Sequence, residues 1–495
     1  MKTEKIHNHF AMTFIIFVLC YSIINFLFLP HNQLISYPVQ LDDYAALSAK
    51  FSAVSWIDVR PVSYFLAACF AQLGRMGYYL LVPGLVILCA TLVFRFARNV
   101  CSVSPPIGWL ILYAILLFSS SVIIDVSKFL GITINLCSAS LGVISMLALL
   151  KGYRENKSPF FILAAFFFTL TIFTKEDFIL PNFLLIFYLF LFEKKEGAMP
   201  VQDHRKIKLL IYLVYSIIAI VALILFDKYL VYGGNGFVGL GQSQSTAYDV
   251  NMTVPSIFHM LIHYLTINTY ATMLTITALL IFILCLFFAE TKIKIKILFL
   301  AGVMVSLVLP YSTLPNHIFA YYSYNWLPWE AAVTVFGLFL LAPSVFQKSK
   351  KISFLLLCII AIAAMKISYS PRHGMALWYN HAAEINKNIL VTLLDKKQEL
   401  NQEQYVGVVN AAGLMPWSNT TGNYLFYNLG IKPKWIVFVD KSTIFLTINA
   451  NDQLDSNKLI NVLSTTKICD FPHMKYLYLA PDGKGRLTDN CKNIG

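Results

Sequence analysis

Residues 158–192 read SPFFILAAFFFTLTIFTKEDFILPNFLLIFYLFLF. Two apolar blocks, 158–174 and 177–192, flank the turn Thr174-Lys175-Glu176-Asp177, and beyond that turn no charge interrupts either block. A membrane-spanning helix needs roughly 17–25 apolar residues, so each block is just long enough. With almost no linker, a tight hairpin and one broken helix both fit. Working outward, segments of the same kind occur at 11–29, 78–94, 106–124, 131–150, 208–230, 270–289, 297–313, 326–346 and 352–368. Segment 61–74 is apolar but short; it extends the second span or lies in the interface. The fold expected is mainly α, a polytopic membrane protein of about eleven spans.

Composition agrees. Of 495 residues, 58% are hydrophobic and 13% charged, against roughly 25% charged in soluble domains. That excludes a disordered chain and an ordinary soluble enzyme. The net charge of +13 fits membrane-protein inner loops, which are rich in Lys and Arg. No nucleic-acid-binding motif accompanies it, so nucleic acid is not expected as a partner.

Of the 25 Lys and Arg in residues 1–368, 18 fall in alternate loops, at Lys2, Lys5, Arg95, Arg98, 151–157, 194–208, 292–296 and 348–351. By the positive-inside rule those loops are cytoplasmic. The N-terminus is then cytoplasmic, and everything after residue 368 lies outside. The charged leader Met1–His9 resembles a signal peptide's, but no small-residue cleavage site follows Leu29, so an uncleaved anchor is expected.

Residues 369–495 form a second region, without a spanning run. Strand-like segments at Tyr405–Asn410, Trp435–Asp440, Ile444–Asn449 and Tyr476–Ala480 alternate with helical patterns near Leu377–Lys397 and Ser456–Ser464. A small α/β domain outside the cytoplasm is expected. Seven of nine Cys lie in or beside apolar spans; Cys469 and Cys491 lie outside, where a disulfide between them is permitted.

The outward-facing acids carry the chemistry. The first outer loop holds Leu41-Asp42-Asp43-Tyr44 and then Asp58-Val59-Arg60-Pro61. Adjacent carboxylates can serve as a general base, hold a divalent cation or cap the helix beginning at Tyr44. The turn Lys175-Glu176-Asp177 is a hydrated tip with an internal ion pair, or a cation and two acids aimed into a cavity. A third cluster runs from Pro315 to Glu330 and includes His317, Tyr321 and Tyr322. It is an interfacial aromatic belt or a set of donors suited to a phosphodiester and a sugar, with Glu330 just inside the next span. The Gly/Ser/Gln-rich loop Val231–Pro255 reads as a lid or a connector. Trp378, Tyr379 and Trp417 suit sugar stacking, though core packing is the commoner use.

Taken together, Asp42-Asp43, Arg60-Pro61 and Lys175-Glu176, in this order and on one side, resemble the GT-C superfamily of polytopic glycosyltransferases that use polyprenyl-phosphate sugars. The resemblance covers about the first 200 residues; the His317…Tyr321-Tyr322…Pro328 stretch is similar more loosely. It implies an inverting transfer outside the cytoplasm, from a polyprenyl-phosphate sugar donor to a hydroxyl. Asp42 or Asp43 would be the general base. Arg60 and Lys175 would stabilise the leaving phosphate, and His317, Tyr321 and Tyr322 would contact phosphate or glycan. Glu176, Asp177 and Glu330 would orient these groups or the acceptor. A divalent cation, Mg or Mn, on Asp42 and Asp43 is compatible, and the chemistry also runs without one. The chain lacks the Trp-Trp-Asp signature of oligosaccharyltransferases and the β-rich modules of protein O-mannosyltransferases. It looks more like bacterial inner-membrane enzymes that modify O-antigen or lipopolysaccharide, with a periplasmic C-terminal domain and a lipid-linked or lipopolysaccharide glycan as acceptor. A polytopic transporter or flippase for a lipid-linked glycan is the alternative; it would predict paired repeats and broken midplane helices.

Overall fold

The structure is a computed structural model that describes residues 2–28, 61–120, 122–123, 132–193, 204–225, 252–267, 269–313, 320–345, 350–368, 375–403, 405–410, 429–431, 435–440, 443–448 and 474–489. Asp42, Asp43, Arg60, His317, Cys469, Cys491, the segment 456–464 and the loop 231–251 lie outside the described residues, as do the side chains of Tyr321, Trp378, Tyr379 and Trp417.

The described residues form α1 (Lys2–Phe28), α2 (Pro61–Ala71), α3 (Gly74–Cys101), α4 (Ile107–Phe118), α5 (Thr133–Glu155), α6 (Ser158–Thr174), α7 (Ile179–Leu191) and α8 (His204–Leu225). There follow α9 (Val254–Leu265), α10 (Thr269–Phe288), α11 (Thr291–Ser312), α12 (Leu327–Val345), α13 (Lys350–Ser368), α14 (Met375–Asp395) and α15 (Lys397–Gln402). Every expected span has its helix. Tyr79–Cys101, Thr133–Glu155, His204–Leu225, Tyr270–Phe288 and Thr291–Ser312 are long and apolar enough to cross a membrane.

Several boundaries move for visible reasons. The apolar stretch 61–74 is a separate helix, α2, because the turn at Gln72-Leu73 leads into Gly74 at φ 69°, a conformation that only glycine adopts freely. Helix α3 runs past its apolar part, with the Arg95 guanidinium 5.3 Å above the Phe10 ring. Helix α4 stops at Phe118, before Ser119. The pair in 158–192 folds back as a hairpin: Lys175 is extended at φ −165°, ψ 142°, Glu176–Phe178 makes one 3₁₀ turn, and the return arm brings Glu193 within 2.7 Å of Arg154, before α6. Beyond the turn the arms diverge, α6 packing on α5 and α8, and α7 on α11.

The bundle has two chemically distinct ends. At one end Arg154 donates to Glu193 Oε1 and to the Asn99 carbonyl, both at 2.7 Å. Lys208 donates to the Asn156 carbonyl and Lys296 to that of Cys101. These cations meet the carbonyl termini of α3 and α5, where a positive charge favours the helix dipole. The contacts bring Asn99, Cys101, Asn156 and Glu193 to one end, beside the loops that the alternation of Lys and Arg assigns to one side. At the opposite end Ser63 Oγ donates to the Thr174 carbonyl at 2.6 Å, and Ser138 Oγ to the Lys175 carbonyl at 3.1 Å.

Between the ends lies one continuous apolar core, with Phe17 stacked on Tyr113 at 5.5 Å and Phe94 edge-on to Tyr113 at 5.1 Å. Glycine lets two seams close: Gly142 of α5 admits the Phe178 ring, and Gly337 of α12 admits Ile281 of α10. Such small-residue contacts replace the hydrophobic drive that lipid cannot supply.

After α13 the chain forms a small α/β unit with strands β1 (Tyr405–Asn410), β2 (Trp435–Asp440), β3 (Thr443–Ile448), β4 (Met474–Leu479) and β5 (Gly485–Thr488). The order is β3-β2-β1-β4-β5, with a parallel centre and antiparallel edges. Its own core joins Ile385, Ile389 and Leu393 of α14 to Val406, Val408, Leu477 and Leu479. The described cysteines are all free; Cys89, Cys101, Cys137 and Cys285 are buried as small apolar side chains.

Candidate functional site

The break after α6 builds the site. Lys175 leaves the helix in an extended conformation, its N–H still bonded to the Thr171 carbonyl at 2.7 Å. Two residues later Asp177 sits in the 3₁₀ turn, and the Phe178 ring against Gly142 pins that turn to α5. Both ionic side chains point inward: Lys175 is 8% and Asp177 4% exposed. Glu176, between them, is exposed.

The partners come from a distant part of the chain. Lys175 Nζ lies 3.2 Å from Asp177 Oδ2 and donates to the Tyr311 hydroxyl at 2.8 Å. That hydroxyl donates in turn to Asp177 Oδ2 at 2.7 Å. Asn325 Nδ2 donates to Asp177 Oδ2 at 2.9 Å and approaches the Tyr311 oxygen at 3.1 Å. A buried carboxylate is tolerable only when paired and hydrogen-bonded, and here one oxygen receives a cation, a phenol and an amide. The other amide atom, Asn325 Oδ1, is buried without a partner among the described residues.

Aromatic rings enclose this network. The Tyr322 ring lies 4.4 Å from that of Tyr311, inclined at 32°, and Lys175 Nζ lies 5.1 Å from the Tyr311 centroid and 5.3 Å from that of Tyr322. Tyr264 of α9 meets Tyr311 at 6.2 Å and Trp326 at 5.9 Å. Ring faces stabilise an ammonium ion electrostatically, more strongly when water is excluded.

An apolar cavity of about 1020 Å³ opens below the network. Leu180, Leu265 and Leu309 belong to its lining, within a few residues of Asp177, Tyr264 and Tyr311. Phe190 and Leu298 carry the lining toward the basic end of the bundle. From Leu180 to Phe190, α7 alone follows the cavity for about 15 Å at 1.5 Å per residue.

Of the residues singled out in the sequence, the structure thus brings together Lys175, Asp177 and Tyr322. Glu176 stays at the surface of the turn. Glu330 is wholly buried and bonds to Thr275 of α10 at 2.8 Å. Tyr311 and Asn325 were not singled out, although Pro310-Tyr311-Ser312 at a span end and Asn325 within the aromatic run were visible in the sequence. Among the described residues no three of His, Cys, Asp and Glu come together as a metal site. The acids expected to hold a cation, Asp42 and Asp43, lie outside them.

No protein-family model matches the chain, and no curated protein matches it. Among solved structures, the chain is similar to ArnT from Cupriavidus metallidurans bound to undecaprenyl phosphate, at 12% identity and a TM-score of 0.49 over 87% of this chain and 86% of that one. It is similar to the oligosaccharyltransferase of Archaeoglobus fulgidus in complex with Zn and sulfate, at 14% identity and a TM-score of 0.46 over 86% of this chain and 67% of that one. It is also similar to the oligosaccharyltransferase AglB of the same organism in complex with an inhibitory peptide and a dolichol-phosphate, at 13% identity and a TM-score of 0.45 over 86% and 69% of the two chains.

Proposed function

We propose that this protein is a membrane glycosyltransferase of the GT-C kind, which moves a sugar from a polyprenyl-phosphate carrier to a hydroxyl of an acceptor glycan outside the cytoplasm. The observation that carries the reading is the buried Lys175–Asp177–Tyr311–Asn325 network, with a long apolar cavity lined by near neighbours of its residues, Leu180 and Leu309. A polyprenyl phosphate has those two parts, an anionic head and an apolar chain. A nucleotide sugar stays in the cytoplasm, so a site on the outer face needs a lipid-borne donor.

In this reading the acceptor hydroxyl gives its proton to Asp42 or Asp43. The new bond forms to the anomeric carbon from the face opposite the phosphate, the old carbon–oxygen bond breaks, and the electron pair leaves with the phosphate. Cations and oriented donors must meet the charge that develops there. Lys175 uses two of its three donors on Asp177 and Tyr311, which leaves one for a phosphate oxygen. Because Asp177 offsets the Lys175 charge, a second cation is required. Arg60 is the candidate, its planar fork suited to a phosphate. Ser63, three residues beyond it, is bonded to the Thr174 carbonyl beside Lys175. His317, Tyr321 and Tyr322 complete the phosphate or glycan contacts, and Glu176 at the turn faces the acceptor. A divalent cation, where one is used, falls to Asp42 and Asp43.

The acceptor proposed is an O-antigen or lipopolysaccharide glycan at the bacterial inner membrane, with the N-terminus cytoplasmic. Residues 369–495 then form a periplasmic domain, and Cys469 and Cys491 its disulfide. The test is sugar transfer from a polyprenyl-phosphate donor in membranes, with the native chain beside Asp42→Ala and Asp43→Ala at matched insertion. Loss of transfer in one variant identifies the base. Full activity in both removes the assignment, and no transfer by the native chain favours the transporter or flippase.

A further inference from the structure

Glu330 stands in the first turn of α12, a carboxyl with no exposed surface. Its Oε1 accepts from Thr275 Oγ1 at 2.8 Å, across the seam to α10. Among the described residues its Oε2 is buried without a partner, and so are Trp326 Nε1, Thr334 Oγ1 and the Tyr270 hydroxyl. Trp326, Glu330 and Thr334 recur every four residues, so they share one helix face. Tyr270 lies on α10, the helix that also supplies Thr275 to Glu330. An unsatisfied buried polar group is costly, and inside a membrane no bulk water relieves it. A buried water makes about three hydrogen bonds to such groups, and the two packed helices carry a carboxyl oxygen, a phenol and a second hydroxyl that need them.

We propose that the α10–α12 seam holds an internal water site centred on the Glu330 carboxyl, and that this site fixes the start of α12. Asn325 is the residue it aims. The Glu330 N–H bonds to the Trp326 carbonyl at 2.9 Å, the Trp326 N–H to that of Ser323 at 3.2 Å, and Asn325 between them donates to Asp177. Glu330 is then a positioning residue, acting through Asn325 on the Lys175–Asp177 pair and touching neither donor nor acceptor. What it supplies is an acceptor oxygen of the right reach, so an amide of the same shape replaces it. The catalytic consequence rests on the glycosyltransferase reading; the water and the positioning do not.

Three readouts test this on the full chain in lipid. The first is the rate at which an amine-acylating reagent modifies Lys175, followed by mass spectrometry without substrate. Glu330→Leu is expected to raise that rate about tenfold, the equivalent of about 1.4 kcal/mol, and Glu330→Gln to leave it as in the native chain. In an Asn325→Ala background Glu330→Leu adds nothing further. Thr275→Val, which removes the donor to Oε1, carries the same test if Glu330→Leu does not insert. The second readout is sugar transfer, where kcat falls in Glu330→Leu with KM little changed and recovers in Glu330→Gln. The third is an experimental density map, expected to show water within hydrogen-bond distance of Glu330 Oε2. Native Lys175 reactivity in both Glu330→Leu and Thr275→Val, independent effects in the double variant, or an Oε2 bonded directly to protein would overturn the proposal. A native chain that transfers no sugar, with Lys175 reactivity behaving as expected, would overturn the glycosyltransferase reading alone.

Discussion

Asp177 Oδ2 is the atom on which the site turns, because three donors converge there from two distant parts of the chain. Removing one member of a buried ion pair leaves an uncompensated charge, which costs about 3–5 kcal/mol. Lys175→Met is therefore expected to lower thermal stability in lipid by that order and to abolish transfer. The double variant Lys175→Met/Asp177→Leu removes both charges, so it should recover much of the stability and none of the activity; scanning calorimetry beside a transfer assay separates the two effects. A double variant that also recovers transfer would contradict a role for the pair in the reaction. Tyr311→Phe should cost about 1–3 kcal/mol, since it deprives Asp177 of a donor. A second ion pair lies in the C-terminal unit. A hydrogen bond to Glu403 at 3.0 Å holds the Lys475 ammonium above the ordinary lysine range. A raised folded-state value stabilises the fold while lysine is protonated and stops doing so as pH rises through that value. Lys475→Met should cost at most about 1 kcal/mol at neutral pH, and the difference should vanish in strongly alkaline buffer.

At the scale of elements, the seams that aim these residues close through glycine. A Cβ at Gly142 would meet the Phe178 ring, which holds the turn bearing Asp177. Gly142→Ala is expected to cost about 1–3 kcal/mol by overpacking and to reduce transfer as the turn shifts; unchanged transfer would show that the turn tolerates displacement. In the β4–β5 turn Gly483 has φ 83°, and a Cβ there would strike the Ile385 carbonyl of α14. Gly483→Ala should loosen the sheet from α14, seen as faster amide exchange in β5 with the membrane helices unaffected. Elements were legible where hydropathy or alternation marked them. Helix α6 matches its apolar block because Pro159 opens it and Lys175 ends it. Strands β1 and β2 fall on their short runs rich in β-branched Val and Ile. Helix α9 was not anticipated, because its 12 residues mix exposed Val254 and Phe258 with buried Met260 and Tyr264. Strand β5, four residues long, is too brief for a pattern. Tyr311 and Asn325 stayed hidden for another reason: their meeting with Asp177, 134 and 148 residues away, is a tertiary contact that no local spacing announces.

For the whole molecule, the two ends of the bundle are the organising fact. Arg154, Lys208 and Lys296 close one end over helix carbonyls, while the Lys175 network lies at the other. The apolar cavity spans the depth between them. If the basic end is cytoplasmic, a cysteine placed at Lys157 should resist an impermeant thiol reagent in intact spheroplasts, and one at Asp482 should react. The reverse pattern would invert the chain and place the network in the cytoplasm, where a lipid-borne donor is unnecessary. The most direct measurement of the central claim uses purified chain in proteoliposomes containing a radiolabelled polyprenyl-phosphate sugar and a lipid-linked glycan acceptor. The account predicts label on the acceptor with inverted anomeric configuration, and none with Lys175→Met/Asp177→Leu. Transfer that persists in that double variant, or a native chain that carries the labelled lipid across the bilayer without transferring its sugar, would contradict it.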